Sequence, residues 1–226
     1  MDSALKESSD MLFEDRHDAG KQLAQQLEEY RGKNAIVLAL PRGGVVVGYE
    51  VAKELNLPLD VIVTRKIGAP GNPEYAIGAV TETGDVQLNQ EEIRLYGISR
   101  QYVDEEIRRQ KQEIERRVQL YRGGRRMPSV WDKIAIVVDD GIATGFTMRA
   151  SIRALKAEQP KKIVLAVPVA PPDVLDELRT EVDEVVCLET KEPFFAVGAW
   201  YRHFEQTTDE EVRDYLIMAK RPGLKQ

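Results

Sequence analysis

Thiol and imidazole side chains are scarce in this sequence, which has one cysteine and two histidines among 226 residues. A single cysteine, Cys187, cannot form a disulfide within the chain, and this usage is typical of a reducing, cytoplasmic setting. We therefore expect a cytoplasmic protein that is stabilised by its hydrophobic core rather than by disulfides. Cys187 lies inside an apolar run, which indicates a packed small side chain rather than a nucleophile.

Long hydrophobic runs are also absent. No stretch reaches the roughly 18–20 apolar residues that a membrane-spanning helix needs. The first residues are polar and contain neither the basic region nor the apolar region of a secretory signal. We therefore expect no membrane association and no leader segment.

An excess of positive charge is lacking too. The chain has 32 Lys and Arg against 38 Asp and Glu, which gives a formal net charge of −6. This balance argues against nucleic acid as a partner, because duplex binding needs a basic face to neutralise phosphates. A small anionic ligand is still compatible with the composition, since a local basic site can lie on an acidic protein.

Short apolar runs flanked by turn signals recur along the chain. Such runs are typical of strands that are buried on both faces of a parallel sheet. The predicted strands are residues 35–39, 61–63, 134–138, 163–167 and 185–188. Helices are predicted between them, from about residue 18 and over 44–55, 145–157 and 172–179. This alternation predicts an α/β fold with right-handed crossovers.

Two segments interrupt the alternation. Residues 76–90 alternate short apolar pieces around Thr83-Gly84-Asp85, which predicts a hairpin. Residues 99–121 predict a long charged helix that has Ser99 as its N-cap and ends at Gly123-Gly124. Its arginines are interspersed with glutamates, so we interpret it as a solvated amphipathic helix. The alternatives are a dimer arm and an anion-binding rim.

The most informative segment is the strand end at Asp139 and Asp140 with the loop that follows. In open α/β sheets, ligands bind at the carboxyl ends of the strands. Glycines let backbone amides approach an anion, the next helix adds aligned N–H groups, and Thr144 and Thr147 add hydroxyls. The carboxylates would repel a phosphate, so they suit ribose hydroxyls. The segment predicts a ribose 5-phosphate site; the alternative is an Asp-Asp-Gly turn with a helix cap at Thr144.

Two other strand ends carry groups that suit phosphate. The segment Pro41-Arg42-Gly43-Gly44 follows the first predicted strand, where the arginine offers a bidentate fork and the glycines expose amides. Arg65 and Lys66 follow the second predicted strand and precede a segment rich in glycine and proline, which predicts a mobile basic loop. The alternatives are a plain strand-to-helix turn for the first segment and a solvated basic turn for the second.

The segment around Asp139 and Asp140 resembles the phosphoribosyl pyrophosphate (PRPP) motif of the type I phosphoribosyltransferases: apolar residues, two acids, a short loop, Thr-Gly, one residue and Thr. The resemblance implies that the two aspartates hold the ribose hydroxyls. It implies that the 5-phosphate is wrapped by Gly141, Ile142, Ala143, Thr144, Gly145, Phe146 and Thr147. The family's pyrophosphate loop, which often contains a cis peptide bond, is matched by Pro41, Arg42, Gly43 and Gly44. Its Arg-Lys pair, which contacts the pyrophosphate, is similar to Arg65 and Lys66.

The resemblance covers about residues 13–200 and is nearest to bacterial phosphoribosyltransferase-domain proteins without a defined acceptor. It implies a central parallel sheet flanked by helices, with a lid hairpin and a small hood. We therefore expect a single domain over residues 1–226, with a core of about 32–190, the helical insertion of about 99–121, and a hood from the N-terminal arm and about 191–226. Within the hood, the candidates for stacking on a base are Phe194, Phe195, Trp200 and Tyr201. The alternative is that these aromatic side chains pack the core of the hood.

The implied reaction moves the phosphoribosyl group of PRPP to a nitrogenous base, with purine the favoured class, and releases pyrophosphate. The implied catalytic residues are Arg65, Lys66, Asp139 and Asp140. Mg²⁺ would arrive on PRPP without a direct protein ligand, since it prefers phosphates and waters. Expected partners are PRPP and a base or nucleotide monophosphate, with the protein acting as a homodimer. The alternative is a non-catalytic sensor of PRPP or nucleotides, and a hydrolase is disfavoured because no Gly-x-Ser-x-Gly motif is present.

Overall fold

The structure of the chain, a computed structural model, describes residues 12–220. In chain order the strands are β1 (Ala35–Ala39), β2 (Leu59–Val61), β3 (Thr64–Ala69), β4 (Asn72–Thr81), β5 (Val86–Leu88), β6 (Ile134–Val138), β7 (Lys162–Ala170) and β8 (Glu184–Thr190). The α-helices are α1 (Arg16–Gln26), α2 (Gly44–Leu55), α3 (Gln90–Leu95), α4 (Arg100–Arg122), α5 (Phe146–Ala157), α6 (Pro172–Arg179) and α7 (Asp209–Ala219). Short 3₁₀ helices cover Glu28–Tyr30 and Val197–Trp200.

A five-stranded parallel sheet in the order β2-β1-β6-β7-β8 forms the frame. Alternate residues of each central strand point to opposite faces. Val37 and Ala39 pack with side chains of α1, α2, α4 and α7, whereas Ile36 and Leu38 pack with side chains of α5 and α6. Helices on both faces explain why the strands read as continuous apolar runs. The predicted α/β fold with a central parallel sheet is confirmed.

The second predicted strand and the basic loop after it are placed differently by the structure. β2 ends at Val61, and Thr64 already begins β3, which pairs antiparallel with β4. Arg65 and Lys66 therefore lie within a strand, and the prediction of a mobile loop at these residues is wrong. The turn comes later, at Pro70 and Gly71, because glycine supplies the positive φ of 73° that the turn requires.

The predicted hairpin and long helix are found with adjusted limits. β4 and β5 pair across a turn at Thr83-Gly84, but β4 begins at Asn72 because it also pairs with β3. α4 begins after Ser99, whose hydroxyl accepts the amide N–H of Tyr102, and it ends at Gly123 in the left-handed region. The first helix begins at Arg16, slightly before the predicted start, because the Asp15 carboxylate accepts the amide N–H of Asp18.

α4 is anchored to the rest of the fold by buried ion pairs. Arg122, at its last turn, is 3% exposed and pairs with Glu82 after β4 and with Asp60 in β2. Arg117 is also buried. The interpretation as a solvated amphipathic helix fits Arg116 and most of the other arginines, which are exposed, but it is wrong at Arg117 and Arg122. Between residues 12 and 220, no helix is both long enough and apolar enough to cross a membrane.

Candidate functional site

The carboxyl ends of β1 and β6 bring two of the predicted segments side by side. The two strands pair in parallel with Ala39 opposite Val138, and the Leu40 amide donates to the Val138 carbonyl at 2.9 Å. The loop that begins at Pro41 therefore lies next to the loop that begins at Asp139. The peptide bond between Pro41 and Arg42 is cis, as the resemblance implies.

Gly43 and Gly44 allow the first loop to touch the two aspartates. A Cβ atom on Gly43 would lie 1.9 Å from Oδ2 of Asp140. A Cβ atom on Gly44 would lie 2.7 Å from Oδ1 of Asp139. Because both distances are shorter than any normal contact, only glycine fits at either position without a shift of the loop or the carboxylate.

The two adjacent aspartates occupy different electrostatic environments. Burial, followed by the neighbouring charge of Asp140, raises the pKa of Asp139 well above its ordinary value. Oδ1 of Asp139 also accepts the amide N–H of Asp140 at 2.8 Å. Asp140 instead forms an ion pair with Arg16, whose Nε lies 2.7 Å from Oδ2. Both partners of that pair are largely enclosed, with side-chain exposures of 11% and 14%.

Arg16 is a residue of this site that the motif-based prediction missed. Its guanidinium lies 3.8 Å from the centroid of the Phe204 ring, and Nη1 donates to the Glu205 carbonyl at 2.7 Å. Arg16 and Asp140 are 124 residues apart in the chain. No local pattern signals a pairing over that separation, and only the folding of α1 onto the sheet edge creates it.

The second loop ends in the N-terminus of α5. Gly145 adopts φ 74°, and a Cβ there would lie 2.9 Å from Cγ1 of Val174. No side chain within residues 12–220 caps the first amides of α5 or those of α2. Thr144 is exposed and Thr147 is half-buried. Two helix N-termini therefore meet at the sheet edge, although the Val45 and Val46 amides of α2 donate to the Arg42 and Gly43 carbonyls. The start of α5 is the part of this arrangement that suits anion binding.

The chain matches a known protein family over most of its length. The family model described as the phosphoribosyl transferase domain matches residues 8–202. The chain belongs to the phosphoribosyl transferase domain family. This match confirms the resemblance to the type I phosphoribosyltransferases. It also confirms that the fold is the one predicted from that resemblance.

Relatives of this phosphoribosyl transferase domain include a protein of Mycobacterium tuberculosis whose name assigns it to the phosphoribosyl transferases. The two are 48% identical over 210 residues, which is 93% of this chain and 47% of the relative. The chain thus spans about half the length of the curated relatives that it matches. Among solved structures, TT1426 of Thermus thermophilus is 42% identical, with a TM-score of 0.76 over 92% of this chain and 99% of that one.

The basic residues of β3 lie on a strand that is joined to α5 at this sheet edge. The Thr64 hydroxyl lies 2.8 Å from the Ser151 hydroxyl, which ties β3 to α5. Arg65 is half-buried, and its Nε donates to Oε1 of Gln110 in α4 at 3.0 Å. Burial, followed by the charges of Arg117 and Arg42 among other groups, lowers the pKa of Arg65. The charge of Arg42, in the loop after β1, thus contributes to the lowered pKa of Arg65.

The aromatic residues that follow β8 in this phosphoribosyl transferase domain are placed in different surroundings. Tyr201 is 3% exposed, packs on Phe13 with ring centroids 5.3 Å apart, and donates its hydroxyl to the Asp140 carbonyl at 2.5 Å. The prediction that Tyr201 stacks on a base is therefore wrong, because its ring is part of a small core. Phe194 packs on Trp200 at 5.9 Å, whereas Phe195 is 85% exposed.

Proposed function

We propose that this domain transfers the phosphoribosyl group of PRPP to a nitrogenous base, with purines the first class to test. The observation that carries the proposal is the contact of Gly43 and Gly44 with Asp140 and Asp139. This contact joins the loop after β1, which carries Arg42 and exposed amides, to the two aspartates after β6. The N-terminus of α5 follows the aspartates in the chain. Pyrophosphate, ribose diol and 5-phosphate are joined in the same order in one molecule, PRPP.

Each part of the substrate has a matching group in the proposed complex. Backbone amides from Ala143 to Thr147 and the Thr144 hydroxyl bind the 5-phosphate, because aligned N–H groups favour an anion. The Ile142 amide is left out because it donates to the Val169 carbonyl at 3.0 Å. Asp139 and Asp140 accept hydrogen bonds from the ribose hydroxyls. A hydrogen bond to an ionised group is worth about 1.5–3 kcal/mol, so several of them dominate the positioning of the sugar.

The proposed chemistry is displacement at C1 of the ribose. A base nitrogen forms a bond to C1 while the bond from C1 to the pyrophosphate oxygen breaks, the electron pair leaves with pyrophosphate, and the nitrogen's proton passes to water. The protein's contribution is to hold both reactants in line and to stabilise charge on the leaving group. Arg42, Arg65 and Lys66 supply that positive charge in the proposal.

Magnesium enters the proposal as part of the substrate. Within the part of the chain that the structure describes, no three His, Cys, Asp or Glu side chains group as metal ligands. Mg²⁺ typically binds phosphate oxygens and retains several waters. We therefore propose that it is held by the pyrophosphate, with Asp139 and Asp140 acting on the ribose hydroxyls or through water.

The reaction is tested by measuring pyrophosphate release when the protein is mixed with PRPP, Mg²⁺ and a panel of purine and pyrimidine bases. We expect release with at least one base and none without a base. Tight binding of PRPP with no release on any base would instead favour the sensor function.

Two further predictions have separate tests. Light scattering of the same sample tests the predicted homodimer, and fractionation of the source cells tests the predicted cytoplasmic location.

Thr144→Val tests the phosphate cradle. Thr144 is exposed, so valine is tolerated by the fold, but the hydroxyl donor is lost. We expect the affinity for ribose 5-phosphate, measured by calorimetry, to fall about 10- to 150-fold. Thr144→Ser keeps the hydroxyl and is expected to bind within about threefold of the wild-type protein. Equal affinities of the valine variant and the wild-type protein would remove Thr144 from the site.

A further inference from the structure

The long helix α4 presents one mixed polar face to β3. Gln110, Glu113, Arg117 and Tyr121 follow one another at intervals of three and four residues, which places them on one side of the helix. Gln110, Arg117 and Tyr121 are buried. Charged side chains are seldom buried unless their charge is compensated, so the burial of Arg117 calls for a partner.

This face is joined directly to Arg65. Oε1 of Gln110 accepts a hydrogen bond from Nε of Arg65, and the Gln110 amide donates to Glu106 at 2.7 Å. Arg117 donates through its own Nε to Glu113 at 2.7 Å. Both arginines thus donate to protein side chains through Nε. Their terminal nitrogens, Nη1 and Nη2, donate to no described side chain. A planar fork of this kind matches the oxygens of a phosphate.

Positive charge exceeds negative charge at this face. Glu113 is shared between Arg116 and Arg117, and the resulting hydrogen bonds lower its pKa to about 2. Glu106 pairs with Arg109.

The remaining acidic neighbour, Asp209, is also engaged, because it accepts hydrogen bonds from Arg116 and from the Tyr121 hydroxyl. Arg117 lies two helical turns after Gln110 on the same face of α4, and Gln110 is the residue that holds Arg65. The guanidinium of Arg117 is therefore on the side of α4 that faces β3, and the pKa of Arg65 is lowered by burial and then by the charges of Arg117 and Arg42. Arg117 has one carboxylate partner, Glu113, and shares it with Arg116. The combined charge of Arg42, Arg65 and Arg117 is therefore compensated only in part, which favours a bound anion.

We propose that Arg117 of α4 completes the pyrophosphate subsite together with Arg42 and Arg65. This inference rests on the proposed function, since it assigns the leaving group of PRPP to the three arginines. The subsite is then built from three separate elements: the loop after β1, the strand β3, and the helix α4. Arg122, five positions after Arg117, fixes α4 to Glu82 and Asp60. Arg117 is therefore held in place on a packed helix rather than carried on a mobile lid.

Calorimetry with two separate probes tests the assignment: pyrophosphate with Mg²⁺, and ribose 5-phosphate. We expect Arg117→Gln to weaken pyrophosphate binding at least tenfold and to leave ribose 5-phosphate binding within twofold. Arg116→Gln is the matched control, because Arg116 is the exposed neighbour on the same helix and also pairs with Glu113. It is expected to bind both probes within twofold of the wild-type protein.

Unchanged pyrophosphate affinity in Arg117→Gln overturns the inference, and so does an equal loss of affinity for both probes, which indicates a structural role. If the wild-type protein binds pyrophosphate through Arg117 but does not bind ribose 5-phosphate, the arginine subsite stands and the proposed function falls. If Arg117→Gln does not fold, NMR of the wild-type protein follows the Nε–Hε resonance of Arg117. That resonance is assigned by its absence from the spectrum of Arg117→Lys. It must shift with pyrophosphate and not with ribose 5-phosphate, and the absence of that shift overturns the inference.

Discussion

Asp139→Asn is expected to stabilise the unliganded protein and to remove most of the proposed phosphoribosyl transfer activity. Burial and the charge of Asp140 raise the pKa of Asp139, so the ionised carboxylate is unfavourable in the folded state. Asparagine removes that charge and keeps an oxygen for the amide of Asp140, which donates at 2.8 Å. Loss of the carboxylate acceptor for a ribose hydroxyl is expected to lower kcat/KM about 10- to 150-fold.

The gain in stability should depend on pH with a definite sign. Below the ordinary pKa of 3.8, the carboxyl is protonated in both the folded and the unfolded chain, and Asp139→Asn should match the wild-type protein. As the pH rises towards the folded pKa, the unfolded chain ionises first and the wild-type protein loses stability relative to the variant. Near neutral pH we expect the melting temperature of the variant to be higher by at least about 2–4 °C, the shift that 1 kcal/mol produces in a domain of this size.

Asp140→Asn is the comparison, and it should change stability in the opposite direction. It removes the carboxylate from a largely enclosed pair with Arg16 and leaves the guanidinium without its counter-charge. Breaking such a pair costs about 3 kcal/mol. Both asparagine variants should lose activity, but thermal unfolding should rank them on opposite sides of the wild-type protein. A shift of both variants in the same direction would contradict the different environments of the two aspartates.

Gly43→Ala is expected to disable the site through a steric clash alone. Gly43 has φ −59° and ψ −37°, which alanine adopts readily, so the backbone conformation is not the obstacle. The added Cβ would lie 1.9 Å from Oδ2 of Asp140 and 2.8 Å from Nε of Arg16. The loop must move or the ion pair must open. We expect PRPP affinity to fall at least about 100-fold and the free energy of unfolding to fall by about 1–3 kcal/mol.

Gly84→Ala provides the control for the loss of a glycine. Gly84 adopts φ 94° in the turn between β4 and β5, and a Cβ there would meet no atom within 4 Å. The substitution should cost about 1–2 kcal/mol of backbone strain and leave PRPP binding unchanged. Urea unfolding and calorimetry on the two variants therefore separate a backbone cost from a clash in the site. Wild-type PRPP affinity in Gly43→Ala would show that the contact of the loop with Asp140 is dispensable.

The sequence predicted the parallel sheet and most helix limits because local signals determine them. Apolar runs such as residues 134–138 lie on strands that are covered by helices on both faces, and Ser99 and Gly123 provide the capping interactions of α4. The approach of the loop after β1 to Asp140 also follows from topology, since parallel strands place their carboxyl ends at one edge.

Long-range pairings explain what the sequence could not predict. The ion pair of Arg16 with Asp140 has no local signature. Arg65 lies in a strand because β3 pairs with β4, which follows the turn at Pro70 and Gly71. The pair of Arg117 with Glu113 looks like an ordinary exposed i, i+4 pair until the packing of α4 on β3 is known. Tyr201 follows the alternative of packing in the hood core, because an aromatic side chain near a predicted site suits either a core or a ligand.

The way in which Arg16 is held makes the surroundings of Asp140 depend on both ends of the described chain. The guanidinium is bound by Asp140 and by the carbonyl of Glu205, while the Leu12 and Phe13 amides donate to the Trp200 carbonyl. A chain that ends before residue 205 would keep both partners of the ion pair between Arg16 and Asp140 but would lose the carbonyl that fixes the other side of the guanidinium. The carboxylate of Asp140 is thus positioned by segments from opposite ends of the described chain.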